Sequence, residues 1–380
     1  MKKSFLLATS AIIASGVVAT SAHAVDVELY GQVNKLVMGA DLEGDGQSAD
    51  INILDNDNSS TRFGMRGEQQ LSHGLTASVL LEGQFQSNDS SKFNLAKNGA
   101  GATEDGDPAS WTTRHTRVGL GGQWGALFMG RTATASDGIT NIDLSEAKDV
   151  SNSAISRFGG AVKVGPNDEE LSDLTDNIDG MGYGTGQHGA DRANLVRFDT
   201  PSFQGLKGRV AYTQNQDVDA SVRYNNTFAG VEVAGGASYV KFDGDTNDLT
   251  GSGSNAVADN AWSVTASAKH ESGVSGTVNY GERNYDNLSG AADDPTAFYA
   301  KLGYKYNNTG FAIDYAKNDD SIAAFDDSES SEAEAYGAYV QQDLGHGVST
   351  SAFYKQVQTE VGTNDGDDLD LFGVGMRVKF

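Results

Sequence analysis

Residue after residue, this chain alternates between apolar and polar side chains, and a two-residue period suits an extended strand and no helix. Trp262, Val264, Ala266 and Ala268 alternate with Ser263, Thr265, Ser267 and Lys269. Phe298, Ala300, Leu302, Tyr304 and Tyr306 alternate with Tyr299, Lys301, Gly303 and Lys305. The last segment sets Phe372, Val374, Met376, Val378 and Phe380 against Gly373, Gly375, Arg377 and Lys379. Between Thr61 and Glu68, Phe63 and Met65 share one face, while Arg62, Arg66 and Glu68 share the other. The connections are of two kinds, taking turns. Those at 71–75, 201–206, 227–230, 271–274, 307–310 and 343–348 are short. Those at 41–59, 87–110, 243–260, 319–331 and 360–369 are long, acidic and rich in Gly, Ser and Asn. Pro108, Pro166, Pro201 and Pro295, the chain's 4 prolines, all fall in connections, where a missing N–H breaks no ladder. The spacing predicts about sixteen strands of roughly 10 residues, the length of a tilted strand crossing a bilayer.

An even number of antiparallel strands with one apolar face, short turns at one end and long loops at the other describes a transmembrane β-barrel, an all-β fold. Closure is required there, because an open edge in hydrocarbon leaves amides and carbonyls without partners. A soluble sandwich also alternates, but needs neither so many evenly spaced strands nor so many charges on its polar set. A barrel also explains why only 38% of the residues are hydrophobic: alternate residues face lipid and the rest face water. Met1, Lys2 and Lys3, the apolar stretch from Phe5 to Val18 and the site Ala22-His23-Ala24 have the layout of a secretory signal peptide over residues 1–24. Its removal takes away two lysines and moves the net charge from -25 to -27. After it no apolar run exceeds four residues, as in Ala126 to Met129, far short of the roughly 20 a spanning helix needs.

The acidic balance, 52 Asp plus Glu against 27 Lys plus Arg, argues against nucleic acid as a partner, since such a surface repels phosphate. With no Cys, thiolate metal sites, disulfides and Cys nucleophiles are excluded. H-E-x-x-H, G-x-S-x-G and G-x-x-x-x-G-K are absent, so no enzyme is expected. His73 and His346 fall in short turns, His188 in a long loop, and His115 and His270 on strands, an arrangement that assembles no catalytic group. Acid clusters such as Asp243-Gly244-Asp245, Asp326-Asp327 and Asp365-Gly366-Asp367-Asp368 offer calcium its preferred oxygen ligands, yet none has the spacing of a dedicated calcium loop. Solvated loops are the simpler reading, and no cofactor is expected.

Several stretches together resemble the general porins of Gram-negative outer membranes. Val27-Glu28-Leu29-Tyr30-Gly31-Gln32 is similar to the family's opening strand, and Thr61 to Glu68 to its second. Arg114 to Gly121, followed by Trp124 to Arg131, resembles the hairpin leading into the constriction loop. Arg197-Phe198-Asp199-Thr200-Pro201-Ser202-Phe203 resembles the strand and turn after it, and the chain ends in the expected Phe380. The resemblance implies a sixteen-stranded barrel over residues 25–380, a homotrimer among lipid and lipopolysaccharide, and a water-filled channel for small hydrophilic solutes. It also implies that the barrel-assembly machinery reads Phe380. The third outer loop, 132–191 here, would fold into the lumen. Gln32 departs from the basic residue common at its position, and Arg157 stands before Phe158-Gly159-Gly160 where many relatives place an acid.

Inward parity selects Arg62 and Arg66 on one strand, Arg117 on another and Arg209 on a later one, and the resemblance adds Arg131 and Arg197. Arginine stays charged and spreads a planar fork across a wet wall. The opposing negative set is expected from the loop: Asp137, Asp143, Glu146 and Asp149. Loop acids should draw cations to the mouth in dilute salt, with the arginines acting inside. Two rival functions are a selective sugar or organic-acid channel, which would show a ladder of inward aromatics, and a non-conducting surface adhesin. Inward Tyr299, Tyr339 and Phe353 are too scattered to decide for or against that ladder.

Overall fold

The computed structural model describes residues 26–43, 51–95, 110–166, 168–175, 192–243, 257–286, 293–321 and 330–380. The leader 1–24, residues 176–191 of the long connection and the pair Asp326-Asp327 lie outside them. The strands are β1 (Asp26–Leu42), β2 (Asn52–Asp55), β3 (Arg62–Gln70), β4 (Thr76–Gln86), β5 (Ser110–Gly122) and β6 (Gly125–Ala133). Next come β7 (Arg192–Asp199), β8 (Leu206–Thr213), β9 (Val218–Phe228), β10 (Val231–Lys241), β11 (Val257–His270) and β12 (Val274–Asp286). The last are β13 (Thr296–Tyr306), β14 (Thr309–Asp319), β15 (Ser331–Gly345), β16 (Val348–Val361), β17 (Asn364–Asp365) and β18 (Leu369–Lys379). The short β2 and β17 only extend hairpins on β1 and β16, so 18 less 2 leaves sixteen staves.

Each stave pairs antiparallel with its sequence neighbour, and β1 pairs with both β3 and β18, which closes the barrel. At the seam Gly31 N–H donates to Phe380 O at 2.9 Å and Phe380 N–H returns to Gly31 O at 3.0 Å. The alternation of the sequence becomes two faces: Leu302 is 63% exposed on the outside, whereas the side chain of its neighbour Lys301 is 0% exposed inside. Phe380 continues the outward row of Val374 and Met376. Aromatic pairs mark both ends of the outer face. Trp124 stacks on Phe198 at 6.0 Å by the short turns, and Phe85 meets Trp111 edge-on at 4.2 Å by the long loops. Such girdles hold a barrel at the two membrane interfaces.

A bulge interrupts the period on β5. Glu82 of β4 pairs with His115 and Gly83 with Thr113, so Arg114 is the extra residue. A bulge of this kind re-aims side chains. Here both Arg114 and His115 reach Glu82 in the lumen, at 2.6 Å and 3.9 Å.

The main hydrophobic core lies inside the barrel. Residues 134–175 run along the inner wall, burying Ala147, Val150, Ile155, Phe158, Val162 and Leu171 against Met38, Leu54, Tyr299, Tyr339, Phe353 and Leu371. Phe158 stacks on Phe353 at 4.6 Å. Two wall glycines make room for this segment. A Cβ at Gly303 would stand 2.9 Å from Glu146 N, and one at Gly310 2.7 Å from Glu146 Cβ. Gly303 is thus an inward position that tolerates no larger side chain, although it faces water in the sequence reading.

Leu302→Arg near the membrane midplane should destabilise the barrel by about 2 to 4 kcal/mol. Lys305→Glu, an exposed inward change three residues along the same strand, should leave it unaffected. Denaturant midpoints in lipid vesicles measure both, and equal shifts would contradict the facing assigned to β13.

Candidate functional site

Two wall regions take different parts in the lumen. The loop segment follows the wall of β8 to β16 and then β18, held by one polar tie after another. Ser136 N–H donates to Asp219 at 3.0 Å, and Ser221 Oγ to Ala135 O at 2.6 Å. Asn279 Nδ2 donates to Thr140 O at 2.6 Å, and Ser267 Oγ accepts from Leu144 N–H at 2.8 Å. Asp143 binds Lys301 Nζ at 2.9 Å and Thr277 Oγ1 at 2.5 Å, and Glu146 pairs with Lys269. Asp149 takes Arg377 Nη2 at 2.5 Å and Ser349 Oγ at 2.5 Å. Ser151 Oγ donates to Asp314 at 2.8 Å, a carboxylate that also accepts the hydroxyls of Tyr299 and Tyr339 at 3.0 and 2.9 Å. Lys355 Nζ closes the row on Ile155 O at 2.9 Å.

The other region, β3 to β8, carries an arc of arginines built on two carboxylates. Glu82 accepts Arg114 Nε at 2.6 Å and the Tyr30 hydroxyl at 2.8 Å, with Arg62 Nε 3.8 Å away. His115 lies beside it, with Nδ1 3.1 Å from Thr132 Oγ1 and Nε2 3.4 Å from Arg192 Nε. Because Arg192 can only donate, His115 Nε2 is the acceptor and Nδ1 carries the proton. Deeper, Asp199 gathers Arg197 at 2.8 Å, Lys207 at 3.2 Å and Arg209 at 3.3 Å. Arg117 and Arg197 both lie over the Phe128 ring, at 4.2 and 5.0 Å from its centre. Arg117 Nη1 is buried with no hydrogen-bond partner among the described residues. Seven basic residues (Arg62, Arg114, Arg117, Arg192, Arg197, Lys207 and Arg209) thus face two carboxylates, Glu82 and Asp199.

Of the residues selected by sequence, Arg62, Arg117, Arg197 and Arg209 lie on this arc. Arg66 is also inward but forms a bidentate pair with Glu28, 2.9 and 2.8 Å, towards the short-turn end and away from the arc. Arg131 belongs elsewhere. Its ladder partners Thr116 and Asn194 place it on the outer face with Met129, and its Nε donates to Thr113 O at 2.8 Å. The expected negative wall is likewise revised. Asp143, Glu146 and Asp149 turn to the barrel wall as anchors, because the inward cations Lys301, Lys269 and Arg377 stand under the loop and neutralise them. Asp137 alone faces the arc, where its charge acts on Arg209 and Arg223. Gln32 proves to be a tie, with Nε2 donating to Ser59 O and Ser60 O at 2.7 and 2.9 Å. Tyr299, Tyr339 and Phe353 lie beneath the loop and form no aromatic track. No three His, Asp or Glu side chains among the described residues converge as a metal-binding group.

Sequence reading missed Arg114, Arg192 and Lys207, and the two carboxylates that organise them. The bulge hides Arg114, since period two predicts that neighbours 114 and 115 face opposite ways. Lys207 was legible from its parity with Arg209.

A family model described as Gram-negative porin matches residues 8–362. The chain belongs to the Gram-negative porin family. No protein with a curated description matches it in sequence. Among solved structures, the anion-selective porin from Comamonas acidovorans is similar, with a TM-score of 0.62 and 16% identity, covering 94% of this chain and 100% of that one. OmpF from Salmonella typhi gives 0.56 and 17% identity, covering 93% and 97%. Outer-membrane expressed OmpT of Vibrio cholerae gives 0.57 and 15%, covering 95% and 99%. These likenesses describe the shared barrel. The porin is an integral outer-membrane protein that forms a channel for passive diffusion of solutes, and its family and fold point to a channel rather than to an enzyme.

In this porin the loop seat depends on ionised Asp143. Burial opposes its ionisation, but the Lys301 charge and hydrogen bonds from Ser145 and Thr277 outweigh burial and lower its pKa to about 2. A lowered carboxylate pKa stabilises the seat above the ordinary value near 3.9, and that stabilisation is lost as pH falls through about 2. Single-channel conductance should therefore show no Asp143-dependent change down to about pH 4 and should become unsteady between there and about pH 2. Asp143→Asn leaves Lys301 buried without its counter-charge, a loss of about 3 to 5 kcal/mol, and should produce the same unsteady conductance at neutral pH.

Proposed function

We propose that this porin passes small hydrophilic solutes through a narrow zone whose charge favours anions. The observation that supports it is the excess of cations on β3 to β8 opposite a loop whose acids are largely neutralised by wall cations. A narrow aqueous space with low-dielectric walls focuses such a field, and passing ions respond to it without any bond being made. The similar porin from Comamonas acidovorans is described as anion-selective, which agrees with this reading. The acidic outer loops work the other way. Their charge draws cations to the mouth but is screened beyond about 8 Å at physiological salt and about 3 Å at 1 M. Cation preference in dilute salt therefore gives way to anion preference as salt rises.

Reversal potentials across salt gradients test this. Arg62→Gln and Arg117→Gln should each move the potential towards cation selectivity, most clearly in concentrated salt, whereas Arg131→Ala should leave it unchanged. Unchanged potentials for both lumen variants would exclude the arc as the selectivity zone.

The assembled form we propose is a homotrimer, in line with the trimer form described for OmpT of Vibrio cholerae. Residues 1–24 act as a cleaved export signal and the loop 132–191 as the constriction loop. Lipopolysaccharide surrounds the outer rim, and the barrel-assembly machinery engages the terminal strand through Phe380. Deleting Phe380 removes an exposed outward ring and its two seam hydrogen bonds to Gly31. It should lower outer-membrane yield while export to the periplasm continues. Unaltered amounts of heat-modifiable trimer on gels would refute the role given to Phe380.

A further inference from the structure

The positive wall does not stop at β3. In the two ladders that close the barrel, Gln32 of β1 has Arg62 of β3 as its partner on one side and Lys379 of β18 on the other. Lys379 keeps the inward parity of Arg377, whose guanidinium holds the loop acid Asp149, while Phe380 beside it keeps the outward parity of Met376. Adjacent strands lie about 4.8 Å apart, so the backbones of Arg62 and Lys379 are separated by roughly 10 Å. Gln32 between them brings no charge. It is buried, and its amide is taken up by Ser59 and Ser60.

Lys379 differs from the inward cations that hold the loop. Lys269, Lys301 and Arg377 each bind a loop carboxylate, and Lys355 binds a loop carbonyl. Lys379 is exposed, and it makes neither an ion pair nor a side-chain hydrogen bond among the described residues. Its other ladder neighbour, Gly347, accepts the Lys379 N–H at 2.9 Å and has no side chain to cover the ammonium. The terminal residue is turned to the seam, where Phe380 O accepts Gly31 N–H at 2.9 Å. The charges that act on Lys379 are those of Arg62, Arg377 and Asp149. Of these the one acid is already engaged, by Arg377 and by Ser349, each at 2.5 Å. Asn56 Nδ2 ties the loop down at Asp149 O, 2.8 Å away, and Lys379, two residues along from Arg377, is left uncovered. An ammonium on a flexible stem in a narrow aqueous space adds its field to that of the arginine next in the row.

We propose that Lys379 is a specificity-determining residue of the channel, carrying the positive wall across the barrel seam so that a passing anion meets it together with Arg62. This deepens the anion-favouring zone proposed above and rests on it.

The chain has no Cys, so Lys379→Cys places a single thiol in the full-length barrel. Reversal potentials are measured in concentrated salt, where screening beyond about 3 Å at 1 M removes the contribution of the mouth. Lys379→Cys should move the potential towards cation selectivity, in the same direction as Arg62→Gln. Methanethiosulfonate-ethylammonium joins the thiol as a mixed disulfide, releases methanesulfinate and should restore the potential of the unaltered chain. The sulfonatoethyl reagent should drive it further towards cations. Labelling follows assembly, with heat-modifiability as proof of folding, so a charge acting in the pore is separated from any effect of the substitution on the barrel. Fully labelled adducts that leave the potential where Lys379→Cys put it overturn the proposal. Equal shifts from both reagents also overturn it, since they would reflect bulk and not charge. Arg62→Gln and Arg117→Gln in the same series tell the two readings apart. If they move the potential and the adducts do not, Lys379 alone is wrongly placed. If only the adducts move it, the lysine stands and the arginine zone fails.

Discussion

Everything in this porin follows from the need to pair backbone amides in a medium that offers none. Within hydrocarbon an unpaired N–H or C=O costs several kcal/mol, so the sheet has to return to itself. Here the return is made by β1, which pairs with β3 over its first half and with β18 over the rest, ending on the reciprocal bonds between Gly31 and Phe380. Once the ring is closed, alternate side chains have no choice of environment. One set meets lipid, and the other meets whatever occupies the lumen.

The lumen is where this chain uses its charges. Ion pairs that would contribute little on an open surface become strong local constraints when one partner is wholly buried, as Lys301 is beneath Asp143. They fix a long irregular segment against β8 to β16 and β18, where its own backbone could not form a ladder. The opposite wall is left largely uncovered, and there the arginines crowd one another around two wall carboxylates, with Asp137 the loop acid that faces them. The asymmetry of the pore is thus one of coverage: the same inward cations serve as anchors where the loop reaches them and as a field where it does not.

Much of the architecture was legible because period two is a strong signal over many strands, and the sixteen staves, the alternation of turn lengths and the outward row ending in Phe380 all follow from it. The site was less legible, for three physical reasons. A one-residue bulge at Arg114 reverses the parity on one stave without any change in composition. Resemblance to a family places Arg131 near the loop root, but only the hydrogen-bond register decides that it faces outward. Inward parity identifies Lys301 and Arg377 as lumen residues, yet it does not say that a loop from far away in the sequence will cover them. Contacts across such sequence separations carry no local trace.

The interior core also makes the barrel mechanically uneven. A ring of tilted strands is compliant by itself, much like a hoop, and resists flattening only where something braces it from within. The loop is such a rib, packed by Ile155, Phe158 and Leu171 against one flank of the wall and stitched there by buried polar ties. The arginine flank has no rib and carries mutually repelling charge instead. Under lateral pressure from the bilayer, the ring should yield on that flank, so the diameter across the arginine arc is the dimension most exposed to changes in membrane tension.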